Sequence, residues 1–193
     1  MSDQVTRRAF LAAAGAAGAA WLAADPELVH AALAHARRTV AVPPPYRFAV
    51  LTPAQAAGLE AVAMRIIPSD GTPGAREAGV IHFIDQALAS FAQDQKGALI
   101  EGLDDLNART KARWPDAAAF AALAPERQDE LLRAIEKTPF FGTMRFGTVV
   151  GMFANPSYGG NRDQAGWKLL GFQAHGIHQP PFGHYDAEAR KGG

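Results

Sequence analysis

Apolar residues recur at helical spacing along most of the chain, and that periodicity limits the possible folds more than any other feature. Leu59, Val62, Ala63 and Ile66 fall at i, i+3, i+4 and i+7, the stripe of a helix with one face on a core. Thr52 precedes Pro53, and Gln55 stands where a capping box takes Glu or Gln, so the helix starts there. Pro68 ends it. After the turn-forming stretch "SDGTPGAREAG", Val80, Phe83, Ile84, Ala87, Leu88 and Phe91 predict a second helix over 75–91. Leu99, Leu103 and Leu106 predict a third, stopped by Pro115 near Trp114. "APERQDELLRAIEK" predicts a fourth, with Pro125 at its first position, acids in its first turn and Lys137 in its last, as the helix dipole favours. No sustained β alternation and no internal repeat is present. The fold class is therefore all-α, a single compact domain of about five or six helices.

"PFFGTMRFGTVVGMFANP" departs from this pattern. Phe146, Val149, Val150 and Phe153 make one apolar face, and Phe141, Met144 and Met152 lie towards another. Gly147 and Gly151, four apart, let a neighbouring backbone come close. A helix apolar nearly all round is either central to its domain or faces a partner, and this one can do both.

The N-terminus reads as an address rather than as part of the core. Arg7 and Arg8 are followed by Phe10 and Leu11 and then by an Ala/Gly run to Ala24. A basic start before a short, weakly apolar stretch describes a secretory signal, and the order T-R-R-x-F-L is similar to the twin-arginine (Tat) type, which exports folded cargo. The run is shorter than the roughly 20 apolar residues of a membrane span. Small residues at "ALA" and "AHA" place processing near Ala34 or Ala36, so residues 1–36 are expected to be the signal segment. Membrane contact is then expected at most through an uncut signal or through a partner complex. The Pro-rich stretch 37–50 predicts a linker, residues 51–172 the helical domain, and residues 173–193 an extended or disordered tail.

Composition removes several function classes. Lys+Arg and Asp+Glu both number 19, so no positive excess points to nucleic acid. The absence of cysteine excludes disulfides, thiolate metal sites, Cys-ligated iron–sulfur clusters and a cysteine nucleophile. No dinucleotide fingerprint, P-loop or nucleophile elbow is present. His82 sits beside the apolar face of its helix, where a structural histidine is the default over a base or ligand. His175, His178 and His184 lie in the Pro/Gly-rich tail, without a regular element to fix metal geometry. No catalytic, cofactor-binding or metal residue is therefore expected in this chain.

"NPSYGGN", residues 155–161, has the glycines of a phosphate loop without its lysine. Asn-Pro starts a turn, and Gly159, Gly160 and Asn161 tolerate positive φ. Tyr158 and Trp167 can bury a ring while keeping one polar hydrogen bond, which suits an interface. Tyr158, Asn161 and Trp167, with Phe182 and Tyr185 of the tail, are the candidate partner-facing residues.

In order along the chain, "RIIPSDGTPGAREAGV" and "NPSYGGNRDQAGWKLLGF" carry a resemblance to the gluconate 2-dehydrogenase subunit 3 family, over roughly residues 50–172. The resemblance implies a non-catalytic small subunit. The flavin (FAD) and the oxidation chemistry belong to a large subunit of the glucose–methanol–choline (GMC) oxidoreductase type, acting on sugars or polyols. A cytochrome c subunit often takes the electrons. The small subunit helps the large one fold and carries it through the Tat pathway to the periplasm. Two other readings of the residues are a stand-alone periplasmic enzyme or binding protein that uses a histidine, and a membrane-tethered scaffold.

Overall fold

The computed structural model describes residues 47–172; the signal residues Arg7, Arg8, Phe10 and Leu11, the tail residues Phe182 and Tyr185, and the three tail histidines lie outside them. The described chain runs through six α-helices: α1 (Pro53–Ile66), α2 (Val80–Ala89), α3 (Lys96–Arg113), α4 (Pro125–Ala134), α5 (Pro139–Phe153) and α6 (Ala165–Leu169). Short 3-10 turns join several of them, and no strand occurs among the described residues. The chain is all-α. None of these helices is long and apolar enough to cross a membrane.

α1 starts as its sequence dictates. Thr52 Oγ1 accepts from the Gln55 amide at 3.2 Å, and Gln55 Oε1 accepts from the Thr52 amide at 2.9 Å, so two otherwise orphaned donors are satisfied reciprocally. Leu59, Val62 and Ala63 are buried. α1 packs on α2, α3, α4 and α5, and α5 packs on α1, α2, α3 and α6. These two helices form the axis of the core. α3 reaches α5 where Phe140 lies across Gly102, leaving no room for a Cβ.

α2 begins later than the periodicity suggests. Residues 75–79 form a turn instead of helix, because Gly79 adopts φ 66° and reverses the chain's handedness just before Val80. The helix also ends at Ala89, so Phe91 packs from beyond its end, tilted against Phe83. The preceding loop is held by Glu77, whose carboxylate accepts from Ser69 Oγ (2.5 Å) and the Gly74 amide (2.8 Å). Those bonds keep its pKa below the usual range. α4 stops at Ala134, which leaves Lys137 outside it and Arg133 as the cation of the last turn.

α5 presents a different face to the core from the one its large apolar residues suggest. Met144, Gly147, Thr148, Gly151 and Met152 are buried, whereas Val149 is exposed and Phe146 half-buried. The reason is complementarity of size. Gly147 receives Ile84 of α2, and Gly151 receives Val80 and Phe83 at distances just wider than a clash. The two glycines admit large side chains of α2, not its backbone. Of the bulky stripe of α5, Val149 is thereby turned outward, while Val150 and Phe153 pack on the edge of the core.

Residues 48–50, expected in the linker, belong to this fold together with Leu51. Phe48 and Val50 pack on the core. The fully buried Asp85 carboxylate accepts from the amides of Ala49 (2.7 Å), Val50 (3.1 Å) and Leu51 (3.1 Å). Burying a carboxylate is costly unless its lone pairs are taken up, and three consecutive amides do so here.

A candidate partner interface at the end of helix α5

The last turn of any helix leaves carbonyls without intrahelical donors. In α5 the following loop supplies them. The Asn161 amide donates to the Gly151 carbonyl at 2.7 Å, the Asn161 Nδ2 to Ala154 at 2.8 Å, and the Trp167 indole N–H to Phe153 at 2.7 Å. Asn161 Oδ1 in turn accepts from the Gly166 amide at 2.9 Å, at the start of α6. One asparagine, with no exposed surface, thus ties the end of one helix to the beginning of the next. Its φ of 45° is the left-handed conformation that Asn tolerates better than most residues.

Gly160 and Gly166 make the close approach possible. A Cβ on Gly160 would collide with the Gly151 carbonyl, and one on Gly166 with the Met152 carbonyl. Asn155 starts the turn, its Oδ1 accepting from the Ser157 amide at 3.0 Å, and Gly159 takes φ 96°. The amides of Ser157, Tyr158 and Gly159 bond within the loop, and that of Asn161 bonds to the end of α5. "NPSYGGN" is a helix cap.

The candidate interface residues divide accordingly. Asn161 is spent on the cap. Tyr158 and Trp167 are half-buried, with Tyr158 against the core and Trp167 bonded inward. The exposed large hydrophobics of the described chain are Val149 (44%), Leu169 (44%), Leu170 (64%) and Phe172 (54%). All four lie on the outer side of α5 or on the α6 segment that the cap fixes to it. Phe172 stands edge-on to Trp167 with ring centroids 5.2 Å apart, and Phe153 borders Gly166. Lys168 of α6 is exposed, as is Arg162 before it. Arg162, Asp163 and Gln164 form the foot of α6, and the last two also hold positive φ, at 53° and 58°. Such backbone is costly for residues with a Cβ and persists only when its surroundings over-determine it.

Sequence reasoning named the aromatic pair and missed the leucines beside them. The available signal was "WKLLGF": α6 has five residues, too few to bury a tryptophan, two leucines and a phenylalanine on one side.

His82, the other residue singled out in the sequence, is packed rather than presented. Its ring stacks on Phe48 with centroids 5.7 Å apart and planes at 21°. Burial, and then the charge of Arg162, lower its pKa to about 4, against a smaller raising effect of Asp85. It is therefore neutral at pH 7. Two open grooves, of about 430 and 360 Å³, lie elsewhere, and no histidine lines either. Among the described residues no group of histidines and carboxylates could hold a metal ion.

The depressed pKa fixes a sign. Above pH 6.5 both folded and unfolded chains hold His82 neutral, and its packing contributes in full. Between pH 6.5 and about 4 the unfolded chain takes up the proton first, so stability falls. Discounted for solvent screening at a half-buried site, the loss is about 1 kcal/mol. The difference in urea midpoint between wild type and His82→Gln is expected to be constant above pH 7 and to shrink towards pH 4. A difference independent of pH would show that His82 does not resist protonation.

The family model of gluconate 2-dehydrogenase subunit 3 matches residues 53–174. The chain belongs to that family. The match covers all six helices and the capped loop, and it ends just beyond Phe172. Membership of the subunit 3 family implies a dehydrogenase as partner. The chain has no match among curated proteins and none among solved structures.

Proposed function

We propose that the chain is a non-catalytic accessory subunit that binds an FAD-dependent, GMC-type sugar or polyol dehydrogenase, helps it fold and carries it through the Tat pathway to the periplasm. The observation that carries this reading is the apolar surface of Val149, Leu169, Leu170 and Phe172 on a capped, glycine-locked support. Large apolar side chains left exposed, three of them within residues 169–172, mark a protein-binding site. Family membership supplies the kind of partner. The flavin and the chemistry are assigned to that partner, and the glycine loop of this chain serves instead as the cap of α5. A cytochrome c subunit would receive the electrons.

The leader motif carries the export half of the proposal. Replacing Arg7 and Arg8 together by lysine is expected to leave both this chain and the dehydrogenase in the cytoplasm, as read by fractionation of cells that co-express them. Periplasmic activity at the wild-type level would exclude Tat-dependent co-export. A dehydrogenase that reaches the periplasm in cells lacking this chain, and never co-purifies with it, would remove the accessory role altogether.

A further inference from the structure

Two segments far apart in the chain grip α2 and the turn that leads into it. In the first, Asp85 holds the amides of residues 49–51 and Phe48 stacks on His82. In the second, the Arg162 amide donates to the Ala78 carbonyl at 2.9 Å. The Arg162 guanidinium lies against Gly79, where an added Cβ would meet it at 3.3 Å and the His82 ring at 3.2 Å. Gly159 backs onto the His82 carbonyl. His82 therefore touches the root of the N-terminal segment on one face and the α5–α6 loop on another.

We infer that residues 48–51 are a latch: the root of the N-terminal segment is held on α2 only while the 159–162 loop is seated, and a dehydrogenase docked on the α5/α6 surface tightens that hold. The second half rests on the proposed function; the first half is a property of this chain alone. The physical basis is geometric. One carboxylate meets three successive amides only in a single placement of the α2 backbone. The first turn of α2 is set by the Ala78 carbonyl and the left-handed Gly79, both of which Arg162 contacts. Loosening the loop frees that turn, shifts Asp85 and His82, and releases all three amides together. Stabilising the loop from its α6 side has the opposite effect. Residues 48–51 would thereby be fixed to a completed fold and loose on an incomplete one.

Hydrogen exchange of the full chain tests this, read on peptides that cover residues 47–52. Arg162→Ala is expected to speed exchange of the 49–51 amides about tenfold while leaving α3 unchanged. Phe48→Ala, which acts on the latch directly, should speed the same amides. A co-expressed FAD-dependent GMC-type dehydrogenase should slow them by a similar factor. If Phe48→Ala speeds them and Arg162→Ala does not, the coupling is overturned. Acceleration across the whole domain by Arg162→Ala would overturn it too, since the loop would then be a general support. If the dehydrogenase fails to bind, the proposed function falls and the free-chain comparison still decides the latch. Binding that leaves residues 49–51 unchanged would refute the bound-state half.

Discussion

Gly160→Ala is expected to lower the unfolding free energy by about 3 kcal/mol or more, at the upper end of the cost of overpacking a filled interior. The added carbon would meet the Gly151 carbonyl oxygen. Backbone cannot swing aside as a side chain can. Relief requires the loop to lift from α5, which breaks the bond from the Asn161 amide to Gly151 and strands a carbonyl of the last helical turn. Gly166→Ala, which meets the Met152 carbonyl, should behave alike. Gly97→Ala is the control. Gly97 lies within α3 with open space where its Cβ would be, so that change should stabilise the chain by up to about 1 kcal/mol. Urea unfolding followed by circular dichroism measures all three. A Gly160→Ala chain as stable as wild type would show that the close approach at the cap is not required.

The second large effect concerns binding. Leu170→Glu combined with Phe172→Glu is expected to weaken association with the dehydrogenase at least 100-fold, since central apolar anchors each contribute about 2 kcal/mol or more. Both side chains are more than half exposed, so folding should change by no more than about 0.5 kcal/mol. That separation of binding from stability distinguishes an interface from a core. Asp104→Lys on the exposed side of α3 should leave both unchanged. Titration of the full-length chain against the dehydrogenase gives the affinities. Wild-type affinity in the double variant would move the interface away from α6.

Much of the fold was legible because local chemistry specifies it. Thr52 and Gln55 set the start of α1 by satisfying each other's amides, and Pro53 and Pro125, with no amide hydrogen to leave unpaired, suit the first positions of α1 and α4. The leucines of α3 point inward as their spacing requires. The failures are equally physical. The start of α2 depends on Gly79 taking a left-handed φ, which glycine permits but does not require. The inward face of α5 depends on which neighbour must fit. Hydrophobicity alone favours burying Phe146 and Val149, but the large residues of α2 need the space over Gly147 and Gly151. Asp85 carried a readable signal, an acid on the buried face with Ile81 and Leu88. Its partners could not be read, because they are backbone amides 34 to 36 residues away.

By itself, then, the sequence determined the helical class, most helix boundaries, the absence of cysteine chemistry and the family resemblance that the match over residues 53–174 bears out. These follow from periodicities and caps acting over a few residues. Tertiary structure alone decided that the glycine loop closes the end of α5, that Asn161 is buried within that closure, and that the leucines beside Trp167 are left outside. Each of those outcomes turns on which distant carbonyl or side chain arrives at a given surface. Local pattern carries no such information, because the same turn residues and the same apolar stripe are compatible with either face.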